Sequence, residues 1–198
     1  VHKFGRNAVV GTGEEDVWEY SGLIGTGWFQ AAAAVRVKAG GNAADVDTTG
    51  AGARQITVVG LDENWQEASE VIVLKGATVS DATTTTFFRV YRAWVSSAGT
   101  YHGNNTGQII VENAAGAIIN SIGAGQGQSQ YAAFTVEAGF TAYILGGHAI
   151  VDGNKNADVS LWQCPATDGT APFGSKRLVS VIPGLSGYAP MGHRAMEA

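Results

Sequence analysis

The chain is poor in the features that most often reveal a function. It has one cysteine, Cys164, so no disulfide can form within it, and its stability must come from packing and assembly. Charged residues make up 15%, well short of the usual quarter, and the net charge of −5 leaves no basic footprint for nucleic acid or an anionic membrane. No apolar run approaches the ~18 residues of a membrane span. The opening residues, Val1 to Arg6, lack the apolar core of a signal peptide, and synthesis in a cytoplasm is the expectation. Proline is scarce at 4 and glycine plentiful at 28, without a Gly-X-Y period, which excludes collagen. With 45% hydrophobic residues, the chain can bury a core, which excludes a disordered tail.

Catalytic and metal signatures are equally thin. His2, His102, His148 and His193 stand apart, with no H-E-x-x-H. Ser186 sits in Gly-Leu-Ser-Gly-Tyr, where a nucleophile elbow needs glycine at the fifth position and a strand-turn-helix around it. Glu14-Glu15-Asp16 and Glu67/Glu70 read as solvated turn and edge carboxylates rather than a glycosidase pair. Gly123-Ala-Gly-Gln-Gly lacks the spacing and following helix of a phosphate cradle. Cys164 reads as a small buried hydrophobe, and Asn104-Asn105-Thr106 as a chance sequon. One loop has ligand-like spacing: Asp152, Asn154, Asn156 and Asp158 place oxygen donors at alternate positions, as in calcium loops. Ala157 stands where such a loop turns on glycine, Gln163 where it has a bidentate glutamate, and Lys155 opposes a cation, so a polar hairpin turn is the favoured reading. No cofactor is expected.

What is present is strand. The organising stretch is 50–76, where β-branched runs at 54–59 and 68–74 flank a polar turn built from Gly60 and Asp62-Glu63-Asn64. Ile56 and Val58 share one face, as do Ile72 and Leu74 on the return, the period of two that a hairpin requires. Val59, Val71 and Val73 on the opposite faces imply cover on both sides. The segment 28–39 is balanced between an alanine-rich helix and a strand around Val35-Arg36-Val37, with strand preferred. Further strands are expected at 16–20, 83–97, 108–112, 117–122, 131–137, 140–145, 148–151, 159–164 and 177–182. The 131–145 pair forms a hairpin about Ala138-Gly139, with Ala132, Phe134 and Val136 inward. The sum is an all-β chain of about ten strands, a β-sandwich or jelly-roll-like fold. An N-terminal arm or edge segment (1–30), a sandwich domain (31–185) and a C-terminal tail (186–198) complete the expected organisation.

Several segments together carry a resemblance. His2-Lys3-Phe4-Gly5-Arg6-Asn7, Glu15-Asp16-Val17-Trp18-Glu19-Tyr20, the stretch from Gly52-Ala53-Arg54 through Gly60-Leu61-Asp62-Glu63-Asn64-Trp65-Gln66-Glu67, Phe88-Arg89-Val90-Tyr91-Arg92 and Thr135 to Tyr143 are similar to virion structural proteins of marine tailed bacteriophages. The likeness covers residues 2–165 in patches. Met191-Gly192-His193-Arg194 departs from it, where an acidic, proline-bearing ending is more usual. The resemblance implies a β-sandwich on the capsid exterior, a decoration or cement protein that is not an enzyme. It would bridge major capsid protein subunits as a homo-oligomer, with a trimer favoured because it fits threefold lattice points. Phe4, Trp18, Tyr20, Trp28 and Phe29 of the arm are the aromatic contact candidates, with core burial as the competing role for each. A tail-associated or host-receptor-binding module reading its target through loops 40–52, 101–107 and 123–130 is the alternative. An enzyme acting on host glycans ranks last.

Overall fold

The computed structural model describes residues 2–24, 31–164 and 176–191. Among the described residues the chain is all-β, with ten strands paired antiparallel in several sheets. It divides into two compact units, Val1–Ala138 and Gly139–Ala198. The boundary falls inside the span 31–185 expected as one domain, at the turn where Gly139 takes φ +84°.

The first unit is a sandwich of two three-stranded sheets. One sheet holds β1 (Val35–Lys38), β5 (Ile109–Asn113) and β6 (Ile118–Ile122) in the order β1-β5-β6. The other holds β2 (Ala53–Asp62), β3 (Glu67–Val73) and β4 (Phe87–Ala98) in the order β3-β2-β4. Val35, Val37, Ile109, Val111, Ile119 and Ile122 from the first pack against Ile56, Val58, Ile72, Phe87, Val90 and Ala93 from the second, all buried. Alternation supplies the inner faces of β1, β2 and β5, since residues two apart on a strand share a side.

The expected hairpin is β2–β3, with Ile56 directly opposite Ile72. Gly60 is not in its turn but inside β2, paired with Ala68 and Val90. A Cβ on Gly60 would stand 1.7 Å from the Arg89 carbonyl oxygen, so glycine is there for close approach of β4. The turn itself is made by Asp62, whose Oδ1 accepts the amides of Asn64 and Gln66, with Trp65 at φ +58°. Cover on both faces is not found along β3, where Val71 and Val73 are exposed.

Register shifts in the β2–β4 ladder lie between Val59 and Gly60 and between Leu61 and Asp62. Each inserts an extra residue and flips side-chain parity. Simple alternation would group Phe87 with Tyr91. Instead Phe87, Val90 and Ala93 share the main core, and Tyr91 turns into a second cluster with Trp18, Ile24, Leu61 and Tyr131.

Two sheet edges are closed by short loop segments. Ser80 and Thr83 donate their amides to the carbonyls of Val37 and Val35 and accept those residues' amides on their hydroxyls. Gly127 and Ser129 do the same work along β4, at Val95 and Ala93. Such plugs prevent edge-to-edge pairing.

The expected hairpin at 131–145 does not form. Tyr131 bridges to Trp18, and the Ala132 amide donates to the Val17 carbonyl, so the N-terminal segment takes the place of residues 140–145. Strict alternation is lost as a result: Tyr131 and Thr135 are buried and Ala132 is exposed, while Phe134 packs against the second cluster, inward as expected. The strand expected at 16–20 is reduced to that one bridge.

The second unit contains β7 (Gly147–Val151), β8 (Ala157–Gln163), β9 (Arg177–Leu185) and β10 (Gly187–Met191), paired as β7–β10 and β8–β9. The pairings are nested, since Val151 faces Gly187 and Ala157 faces Leu185. They make one antiparallel ribbon, interrupted where residues 152–156 stand against Ser186. The expected C-terminal tail is therefore strand over 187–191, because β7 supplies its ladder partner. Residues 192–198 lie outside the described residues.

Candidate functional site

Among the described residues no group of three or more His, Cys, Asp and Glu is placed to hold a metal ion, and no helix is long and apolar enough to cross a membrane. The oxygen-rich loop between β7 and β8 is a turn: the Asp152 carboxylate accepts the Asn154 amide at 3.1 Å, and its carbonyl accepts the Lys155 amide at 2.8 Å. Asp158 accepts the amide of Gly184 across the ribbon at 2.6 Å. Both carboxylates are thus engaged by backbone donors, and Asn154 and Asn156 are exposed on the turn.

The N-terminal segment is strapped along the first unit. Trp18, only 3% exposed, packs edge-on to Tyr131 with centroids 6.0 Å apart and donates its indole N–H to the Gly22 carbonyl. It is a core anchor, which removes it from the surface available to a partner. Lys3 reaches under the strap, where its ammonium donates to the Tyr91 carbonyl and lies 5.3 Å and 5.5 Å from the ring centres of Tyr91 and Tyr131. Burial, aided by the charge of Arg92, brings its pKa down to about 8. Tyr91 donates its hydroxyl to Glu67, and burial with that carboxylate raises its pKa. Arg89 lies 5.0 Å over Trp65, which stacks on Phe88, and burial lowers its pKa to about 10.

With its anchor turned inward, the strap presents other apolar residues outward. Phe4 is 47% and Tyr20 41% exposed, and Val9, Val10 and Leu23 are more open still. Trp18, Tyr20, Leu23 and Ile118 line a groove of about 310 Å³. Trp28 and Phe29 lie outside the described residues.

A second surface is built from the three loops that sequence proposed for recognition. Asp45, fully buried, accepts the amides of Ala53, Thr106 and Gly107 on its carboxylate. Asn105 donates to the carbonyls of Gly107 and Gly123 and accepts the amide of Gly127. These two side chains tie loops 40–52, 101–107 and 123–130 into one cluster. Beside it, residues 95–103 line an open concavity of about 460 Å³. At its rim Tyr101 is 92% exposed and its ring centre lies 3.9 Å from that of His102. Sequence reading placed the loops but missed Asp45 and Asn105. In turn-rich stretches both look like ordinary turn residues, and only their distant partners distinguish them.

Comparison with protein-family models, with curated proteins and with solved structures finds no match.

Proposed function

We propose that the protein is a non-enzymatic structural component of a tailed-phage virion that decorates the capsid exterior and cements it, as a homo-oligomer, by bridging major capsid subunits. The observation that carries this reading is the strap: a segment fastened by Trp18 to its own sandwich that turns Phe4, Val9, Val10, Tyr20 and Leu23 toward solvent beside a shallow groove. Exposed apolar and aromatic side chains, such as Tyr20 and Leu23 together at the groove, are what a protein interface uses. A cement needs no more chemistry than this. Contacts across lattice joints add area where neighbouring subunits meet weakly. Purified protein should co-sediment with capsids of its phage that lack it, and Tyr20→Lys with Leu23→Lys should abolish this without loss of fold. Equal binding by the double variant would end the assignment of this face.

The loop cluster favours a second reading, a tail-associated or receptor-binding module. Its concavity is lined by Ser96, Ser97, Thr100, Tyr101 and His102 and has no carboxylate, a surface suited to hydroxylated ligands rather than to acid–base chemistry. Binding of the protein to host cells, lost in Tyr101→Ala and retained in the strap variant, would select this reading over the first.

A further inference from the structure

We infer that the ribbon β7–β10 is the element through which copies of this chain associate, each ribbon covering the apolar faces of its neighbour's. Among the described residues of Gly139–Ala198, Leu185 alone is a buried hydrophobic side chain. Ile150 and Tyr188 face each other across the outer pair, and both are mostly exposed. Trp162 faces Leu178 across the inner pair, and both are open to solvent. Phe140, Tyr143, Leu145 and Val181 are exposed as well. A two-stranded ribbon is at best marginally stable in water by itself, so something covers it.

Two features identify the cover as a second copy. The first is charge. In residues 139–198, Asp152, Asp158, Asp168 and Glu197 are matched by Lys155, Lys176, Arg177 and Arg194, so the whole net charge of −5 belongs to residues 1–138. Copies that repel elsewhere meet without penalty here, and a neutral surface selects no oppositely charged partner. The second is area. Large aromatic side chains carry about 150–250 Å² each. Five exposed apolar side chains on the ribbon and three on the segment leading into it, at about 100 Å² apiece, amount to about 800 Å² per copy if all are covered, the share each partner contributes to a standard interface. A sister chain is also present wherever this one is made, before any other partner is met.

The inference rests on the homo-oligomer of the reading above, not on the capsid. Light scattering on the purified full chain at micromolar concentration should give a multiple of 20.5 kDa. Ile150→Lys with Tyr188→Lys should weaken association at least tenfold while amide exchange in β2 and β4 is unchanged. Exchange of the β7 and β10 amides in the unaltered protein should slow as concentration rises, which needs no variant. A monomer at all concentrations, or ribbon exchange independent of concentration, overturns the inference. So does a double variant that keeps its sandwich and associates as before. No capsid enters these measurements, so a monomer refutes this inference and the homo-oligomer it rests on but leaves capsid binding standing, and an oligomer that ignores capsids refutes only the capsid assignment.

Discussion

Lys3 and Tyr91 make the sharpest demands of any residues in the first unit, and both are visible in pH dependence. Burial lowers the amine of Lys3 to about 8 in the fold against 10.5 in the unfolded chain. Between those values the unfolded state binds more protons, so stability rises with pH. The ring contacts partly favour the charged amine, and the gain should be about 1–2 kcal/mol. Above pH 10 Tyr91 contributes with the opposite sign. Tyr91 stays protonated in the fold, since burial and Glu67 raise its pKa, while the unfolded phenol ionises and holds fewer protons. Urea midpoints should therefore climb from pH 8 to about 10, after which Tyr91 opposes the further rise contributed by Arg89, lowered to about 10 by burial. Lys3→Met should flatten the climb, and Tyr91→Phe should make the slope above pH 10 more positive. Asp45→Asn tests a different kind of residue. The amide keeps one acceptor oxygen where the carboxylate serves three backbone amides, and the loss should be about 2–3 kcal/mol. Amides of Thr106 and Gly107 should exchange faster while those of β2 do not.

Elements are where the strap and the bulged ladder show their weight. Trp18→Ala empties the second cluster and should cost about 3–5 kcal/mol, as truncations of buried aromatics do. The accompanying sign is local: the amide of Ala132, held by the Val17 carbonyl at 2.9 Å, should lose protection as the strap lifts. Gly60→Ala puts a methyl group against a backbone carbonyl that cannot move aside without breaking the β2–β4 ladder. A loss of at least about 3 kcal/mol is expected, at the top of the range for overpacking. Its mark is a lowered denaturant midpoint, or failure to recover soluble protein.

For the whole molecule, the two units differ in what holds them. Residues 1–138 contain both hydrophobic clusters found among the described residues, whereas the ribbon, on the inference above, depends on association. Calorimetry should then show a transition at higher temperature that ignores concentration, and one at lower temperature that shifts upward as protein concentration increases, as mass action requires. A single concentration-independent transition would contradict this. The neutral ribbon and the acidic first unit also divide the electrostatics. Added salt should screen repulsion between first units and strengthen association rather than weaken it.

Composition and period two were enough to read the class of fold: few charges, abundant β-branched residues and regular turn signals favoured strand throughout, with 28–39 alone balanced against a helix, and the β2–β3 pairing of Ile56 with Ile72 follows from local alternation alone. Nine of the expected strand positions are strands or lie within a residue or two of one. What the sequence could not carry was any feature set by distant backbone. Two bulges in β4 flipped the parity on which alternation depends and sent Tyr91 to a different core from Phe87. Trp18 looked like a contact residue because Tyr131, which packs edge-on against it, is distant along the chain. Asp45 and Asn105 looked like turn residues because most of their partners are backbone amides and carbonyls distant along the chain. The period of a strand is written residue by residue, but which face meets a core, and which is left for another molecule, depends on where the rest of the chain lies.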